Sequence, residues 1–155
     1  MNRVGAVLSP GRVRVDVSAV SKQQILEEAG RLFASYEGWE PSHIAARLAA
    51  REALGSTGVG YGFAIPHARL KGLRQAVAAF LRLDPAIPFD APDGKPVSEM
   101  LVVLVPEEAK DEHLQMLAEA AEMFNDRDFR ARLHEQGDAA GVYRTIADWT
   151  SKSAC

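Results

Sequence analysis

The sequence predicts a single α/β domain, a sandwich in which a mixed β-sheet is flanked by helices on both faces. Segments with the alternation of a strand and segments with the spacing of a helix are mixed along one chain, which is typical of a sheet with helices packed against it. The length of 155 residues is that of one ordinary domain. We therefore expect one domain over 1–155, with a core over about 13–150 and mobile tails at 1–10 and 151–155.

Three segments are predicted to form strands. Between Val13 and Val17, valines alternate with charged residues, which is the period of two of a half-buried strand. Residues 75–83 and 98–105 are rich in Val, Leu, Ala and Phe and are typical of buried strands. Turns between them are expected at the breaker residues Pro85, Pro88, Pro92 and Asp93-Gly94.

Apolar residues at helical spacing predict five helices. The first begins at Ser21, where Gln24 would complete a capping box, and ends at Gly38. The second begins at Pro41, since the first helical turn tolerates proline, and runs toward residue 52. The remaining helices are expected over 114–124, about 126–134 and, after a break at Gly137-Asp138, through residue 149.

Composition limits the function classes. Lys and Arg number 18 against 21 Asp and Glu, and the resulting net charge of -3 predicts neither a nucleic-acid partner nor insertion into a membrane. The one cysteine, Cys155, is the last residue, so an internal disulfide is impossible. The apolar stretch near the N-terminus is interrupted at Pro10 before it reaches the length of a signal-peptide core, and we expect a cytoplasmic location.

The most unusual segment is a run of glycines that ends in Ile65-Pro66-His67. Dense glycine before a polar residue suggests a phosphate site, because a glycine backbone can approach a ligand closely. The two common nucleotide motifs are absent. A Walker loop requires a lysine that this run lacks, and a dinucleotide fingerprint requires a third glycine where Ile65 stands.

His67 is the candidate nucleophile of this segment. Proline restricts its neighbours to extended geometry and therefore directs the residue that follows. A neutral imidazole is a good nucleophile near pH 7, and a hydrogen bond from one ring nitrogen to a carbonyl would leave the other free to attack phosphorus. The same spacing is equally expected of an ordinary turn that carries a surface histidine.

The segment Arg51-Glu52, followed by Gly-Ser-Thr-Gly-x-Gly-x-Gly-x-Ala-Ile-Pro-His, resembles the phosphotransferase-system enzyme IIA domains of the fructose, mannitol and nitrogen-regulatory type. Later segments extend the resemblance over most of the chain, namely Pro88 to Val97, Leu104 to Pro106 and His113-Leu114. The resemblance implies that His67 takes a phosphoryl group from a phosphorylated HPr-like protein. It further implies that the group is passed to a sugar-transport enzyme IIB or kept as a regulatory mark.

The family's site also contains an arginine and a second histidine, which correspond to Arg51 and His113. Phosphoryl transfer mainly needs an in-line nucleophile with cationic or hydrogen-bonding groups around the moving oxygens, which suits both residues. From spacing alone, Arg51 could be a solvent-facing arginine and His113 a polar residue beside a helix. Support of the loop is expected from Ser56, Thr57, Gly58 and Gly60. The resemblance implies no cofactor, and no metal motif is present.

Two positions depart from the family pattern and put the partner surface in doubt: Ala68 replaces a common glycine, and Tyr61 replaces a frequent asparagine. His43 and His134 are interpreted as structural. Since no IIB, HPr or membrane part is attached, we favour the nitrogen-regulatory branch, with a fructose or mannitol carrier as the alternative. A binding module that has lost phosphoryl transfer is an alternative of another class, and a metal-dependent hydrolase would lack a third ligand.

Overall fold

The computed structural model describes residues 2–34 and 38–151, and over these residues it confirms the predicted α/β sandwich. The helices and strands follow one another in this order: α1 (Arg3–Val7), a 3-10 turn (Pro10–Arg12), β1 (Val13–Val17), α2 (Lys22–Phe33), α3 (Pro41–Glu52), β2 (Gly58–Gly60), β3 (Phe63–Ala64), β4 (His67–Leu70), β5 (Val77–Ile87), β6 (Val97–Pro106), α4 (Asp111–Phe124), α5 (Arg127–Glu135) and α6 (Ala139–Ala147).

The strands form one mixed sheet in the order β1-β5-β6-β3-β2, and β4 pairs with β6 beyond β3. Strands β5 and β6 are antiparallel to each other, whereas β3 and β4 both run parallel to β6. Strand β1 is parallel to β5, and β2 is antiparallel to β3. Consequently β6 lies at the centre of the sheet and receives the chain segments that lead to and include His67.

Helices cover both faces of the sheet, as expected. Helices α2 and α3 pack on one face, where Phe33 and Leu48 meet alternate residues of the central strands such as Val102. Helices α1, α4, α5 and α6 pack on the other, where Phe124 meets the intervening residues such as Val103. Residues 100–105 of β6 are almost wholly buried because both of their faces are covered, which explains the continuous apolar sequence of this strand.

Helix boundaries differ from the predictions in detail. Ser21 caps α2 by accepting a hydrogen bond from the Gln24 amide at 3.1 Å, but the Gln24 side chain accepts from the Val20 amide, one residue before the position of a capping box. Helix α2 ends at Phe33, not at Gly38, and residues 35–37 between them lie outside the described residues. Pro41 is the first residue of α3, as predicted.

The N-terminus is not the mobile tail expected over 1–10. Residues Arg3–Val7 form a short helix, and the side chains of Val4 and Leu8 are buried. The Asn2 amide donates to the carbonyls of Ile146 at 2.7 Å and Trp149 at 2.9 Å, which ties the N-terminus to the last helix. A five-residue helix is too short to display a helical period, so the sequence pattern did not reveal it. Of the tail expected over 151–155, residues 152–155 lie outside the described part.

Strand β5 is longer than predicted, because it continues through Pro85 to Ile87 where a turn was expected. The register with β6 is interrupted between Arg82 and Ile87. A proline has no N–H to offer a neighbouring strand, and an interruption of the ladder is one of the few places where a strand tolerates it. None of the helices formed by residues 2–34 and 38–151 is long and apolar enough to cross a membrane.

Candidate active site

His67 is the first residue of β4, and its Cα lies opposite that of Val103 in β6. The Val103 amide donates to the Pro66 carbonyl at 2.9 Å, which holds the residue before His67 against the centre of the sheet. The imidazole is half-buried. The expectation of an exposed loop is therefore wrong at this position, since the glycine-rich run includes three short strands and delivers His67 on one of them.

The hydrogen bonds of the His67 ring define its nucleophilic atom. Nδ1 lies 2.9 Å from the carbonyl oxygen of Ile65. A carbonyl oxygen only accepts hydrogen bonds, so the neutral ring carries its hydrogen on Nδ1 and a lone pair on Nε2. Ile65 itself is buried, and its amide donates to the Thr57 carbonyl at 3.0 Å. The ring is consequently oriented with Nε2 as the atom available for attack.

Arg51, His67 and His113 line one cavity of about 570 Å³, although they come from α3, β4 and α4. A larger groove of about 900 Å³ between α2 and α3 contains none of the three. The structure thus brings together the residues that the resemblance singled out, while their chemical roles remain predictions. The smaller cavity is also lined by Arg47, Ala50, Leu54, Ala68, Arg69, Val105, Ala109, Leu114 and Leu117.

Arg51 stands in the last turn of α3 and is partly buried. Its Nη1 donates to the Gly55 carbonyl at 2.8 Å, so the turn that follows the helix folds back and restrains the guanidinium. An arginine carries five N–H donors in a planar fork. Most of these donors remain for a ligand, and a fork of this shape matches the oxygens of a phosphoryl group.

His113 has the opposite tautomer from His67. Its Nδ1 accepts a hydrogen bond from the Lys110 amide at 2.8 Å, so the neutral ring carries its hydrogen on Nε2. The side chain is only about 10% exposed, and Nε2 lies 3.8 Å from a carboxylate oxygen of Glu112. The cavity therefore contains one imidazole that can attack through Nε2 and a second that can donate a hydrogen bond through Nε2.

The loop before His67 is tightly held at the positions expected to support it. The Ser56 hydroxyl donates to the Phe89 carbonyl at 2.6 Å and accepts from the Gly58 amide at 3.0 Å. A Cβ at Gly58 would lie 2.7 Å from the Cβ of Ala91, so this position admits no side chain. Gly60 has a φ of +96°, which favours glycine. The first two of these contacts tie the glycine-rich segment to residues 89–91.

The two departures from the family pattern have different structural consequences. Ala68 lies in β4, where its Cα is paired with that of Leu104, and its methyl group packs into the core without requiring a left-handed backbone. Tyr61 is about half exposed and has a φ of +60°. Its ring stacks against the Arg130 guanidinium at 3.8 Å. Hence Ala68 is accommodated in the core, whereas Tyr61 alters the molecular surface.

The Asp93 carboxylate stabilises the turn at Tyr61. It accepts hydrogen bonds from the backbone amides of Lys95 at 3.1 Å and of Tyr61 at 3.0 Å. These two amides, Lys95 first, lower the pKa of Asp93, because they stabilise its charged form. The contact joins the glycine-rich segment to the turn over 91–95.

Sequence reasoning missed one buried group beside the site. Glu52 has a side chain that is only 4% exposed, and its carboxylate meets Lys22 and Thr57. The residue was visible within the family segment, but no local spacing distinguishes a buried glutamate from a solvent-facing one. His134, interpreted as structural, has its Nδ1 3.6 Å from the buried carboxylate of Glu99, whereas His43 is exposed on α3. Over the described ranges, no three His, Cys, Asp or Glu side chains are placed to hold a metal ion together.

Comparison with known proteins agrees with this geometry. A nitrogen regulatory protein of Pseudomonas aeruginosa is 42% identical over 149 residues, which is 96% of this chain and 97% of that protein. The crystal structure of the nitrogen regulatory protein IIA-Ntr from Neisseria meningitidis superposes with a TM-score of 0.88 and 39% identity, covering 94% of this chain and 99% of the other.

A more distant match shows the fold alone. The Escherichia coli complex of enzyme IIA for mannitol with phosphorylated enzyme IIB matches at a TM-score of 0.73 and 16% identity, covering 91% of this chain and 97% of that one. The family model described as phosphoenolpyruvate-dependent sugar phosphotransferase system, EIIA 2, matches residues 6–149. With its fold, the cavity around His67 and these similarities in agreement, the chain belongs to the EIIA 2 family of the phosphotransferase system.

Proposed function

We propose that the chain is a histidine phosphocarrier, which accepts a phosphoryl group on His67 Nε2 from a phosphorylated HPr-like protein and controls other proteins through its phosphorylation state. The single observation that carries this proposal is the His67 ring. Its Nδ1–H is donated to the Ile65 carbonyl, which leaves the Nε2 lone pair in a cavity shared with an arginine and a second histidine.

The transfer step is a displacement at phosphorus. The Nε2 lone pair of His67 forms the new N–P bond while the N–P bond of the donor phosphohistidine breaks, and its electron pair returns to the donor imidazole. The His67 ring gains positive charge as it attacks, and the Ile65 carbonyl stabilises that charge through Nδ1–H. Arg51 and the Nε2–H of His113 stabilise the negative oxygens of the moving group. No metal or other cofactor is part of this step.

The surface around the cavity suits a protein donor better than a small molecule. Leu54 is 85% exposed and Leu114 is 60% exposed, and both belong to the cavity that contains His67. Exposed leucines beside a reacting group are typical of a site that is covered by a partner. They support an HPr-like protein as the donor, and a regulated target protein as a second partner, in the cytoplasm.

The nitrogen-regulatory branch is favoured by the relatives of Pseudomonas and Neisseria, which are described as nitrogen regulatory proteins and share about two fifths of their residues with this chain. The alternative is a fructose or mannitol carrier that passes the group to an enzyme IIB. Its support is the shared fold of the mannitol enzyme IIA, which forms a complex with phosphorylated enzyme IIB. A phosphorylation-independent binding module is the remaining alternative.

Reconstitution tests the proposal. The full chain is mixed with phosphoenolpyruvate, enzyme I and either sugar-branch HPr or its nitrogen-branch relative, and the rate of phosphorylation is compared. We expect faster labelling through the nitrogen-branch donor, no label on His67→Ala and normal labelling of His43→Ala, a control at an exposed histidine. Faster labelling through sugar-branch HPr would reverse the choice of branch, and no label with either donor would favour the binding module.

A further inference from the structure

Glu52 is a buried carboxylate that the mechanism above does not use. It follows Arg51 at the end of α3. Lys22 on α2 lies 3.0 Å from one of its oxygens, and the Thr57 hydroxyl donates to the other. The Thr57 amide also lies 3.3 Å from both oxygens. A buried carboxylate needs a counter-charge and hydrogen bonds, and this one has both.

The hydrogen bonds continue from Thr57 to the His67 ring. The Thr57 carbonyl accepts from the Ile65 amide at 3.0 Å, and the Ile65 carbonyl accepts from His67 Nδ1 at 2.9 Å. Each link in this series joins a residue to the next one through groups on the same backbone unit or side chain. The series begins at a buried ion pair between two helices and ends at the atom opposite the nucleophilic nitrogen.

The Ile65 carbonyl can hold the His67 ring only if its own peptide is fixed on both sides. The following residue is anchored to the sheet, because the Pro66 carbonyl accepts from the Val103 amide at 2.9 Å. The preceding side is anchored through the Ile65 amide to Thr57, and Thr57 is held by Glu52. Loosening Thr57 would leave the Ile65 peptide free to rotate, and Nδ1–H would lose its acceptor.

We propose that Lys22, Glu52 and Thr57 form a positioning relay, which selects the Nδ1–H tautomer of His67 and thereby presents Nε2 to the phosphoryl donor. Glu52 is the positioning residue at its centre, since it contacts Thr57 directly and His67 only through the backbone of residues 57 and 65. This inference rests on the proposed function of His67, but the tautomer of the ring exists whether or not the protein is phosphorylated.

The relay is distinguishable from simple support of the fold. A residue that only stabilises the domain would change the free energy of unfolding and leave the His67 tautomer unaltered. Glu99 and Thr145 serve as matched controls: Glu99 is a buried, ion-paired carboxylate on β6, and the Thr145 hydroxyl donates to a backbone carbonyl of α6. Neither belongs to the series of hydrogen bonds that ends at His67.

The test measures the 15N chemical shifts of the His67 ring in the unphosphorylated full chain and the single-turnover rate of phosphoryl transfer. We expect one Nδ1–H tautomer in the wild type and a mixture of tautomers in Glu52→Gln and Thr57→Val. Transfer should be slower by about tenfold or more in both, because a small displacement of a reacting group is costly. Thr57→Ser, which keeps the hydroxyl, should restore both readouts, and Glu99→Gln and Thr145→Val should leave the tautomer unchanged.

Wild-type tautomers in both relay variants would overturn the proposal, and so would an equal shift in the two controls. Should Thr57→Val fail to fold, Lys22→Met replaces it, because the Lys22 side chain is already 25% exposed and its loss is better tolerated. If the wild type takes no phosphoryl group but the relay variants still shift the tautomer, the proposed function fails while the relay stands.

Discussion

Replacing His113 by alanine should slow phosphoryl transfer by roughly 10- to 150-fold. The Nδ1 atom of His113 is occupied by the Lys110 amide, so the ring can offer one hydrogen bond, from Nε2, to a phosphoryl oxygen. A hydrogen bond to a charged group contributes about 1.5–3 kcal/mol. Because about 1.4 kcal/mol corresponds to a factor of ten in rate, the loss of this one bond gives the range stated.

The same substitution removes a cap, and this effect must be separated from catalysis. The Lys110 amide loses its acceptor in His113→Ala, which should cost about 0.5–2 kcal/mol of unfolding free energy. His113→Glu keeps an acceptor at the third helical position, as in a capping box, but has no donor and adds a negative charge. We therefore expect His113→Glu to unfold near the wild-type urea concentration and to transfer more slowly than His113→Ala.

The assay is single-turnover transfer from the phosphorylated donor, measured alongside urea unfolding of each variant. Saturating donor separates the chemical step from partner binding, since His113 lines the cavity close to exposed Leu114. A folded His113→Ala protein that transfers within twofold of the wild-type rate would refute the hydrogen-bonding role. A His113→Glu protein faster than His113→Ala would refute the reasoning from charge.

Three further outcomes are expected. Arg51→Gln should slow transfer about 100- to 1000-fold at every pH from 6 to 8, since a charge pair at about 4 Å contributes roughly 4 kcal/mol near a protein surface; an equal loss in Arg47→Gln, on the same cavity, would contradict this role. Arg82→Met should lower the unfolding free energy by about 3–5 kcal/mol in urea titration, because Glu99, 1% exposed, loses its partner at 2.8 Å; a loss below about 1 kcal/mol would contradict the buried pair. Asp93 has a lowered pKa in the folded state, so its stabilisation is present above the unfolded pKa and is lost as pH falls through the folded one. The difference in Tm between wild type and Asp93→Asn should accordingly narrow below about pH 4, and a difference independent of pH would count against the contact.

Local patterns predicted the parts of the fold whose burial repeats along the chain. The helical spacing over 114–124 and the apolar run over 98–105 correspond to α4 and β6 because each element presents a regular buried face to the core. The class of fold followed from the succession of such segments. Pro85 misled the prediction, because the register interruption that accommodates it depends on the partner strand and not on local sequence.

The candidate site was accessible from sequence only as far as the family motif reached. The structure places Arg51, His67 and His113 in one cavity, but no spacing along the chain specifies that α3 and α4 flank β4. The strand position of His67 arises from pairing with Val103, 36 residues later in the sequence, which a local pattern cannot contain. The buried contact between Glu52 and Lys22 was missed for the same reason, since it joins two different helices.

The central claim is that His67 attacks phosphorus through Nε2. The direct measurement is 31P and 15N NMR of the chain after phosphorylation through enzyme I and its donor protein, with the ring nitrogens labelled. The Nδ1–H hydrogen bond to the Ile65 carbonyl predicts a single phosphohistidine, with phosphorus on Nε2 of His67 and hydrogen retained on Nδ1. Phosphorus on Nδ1 of His67, or on His113, would contradict the account.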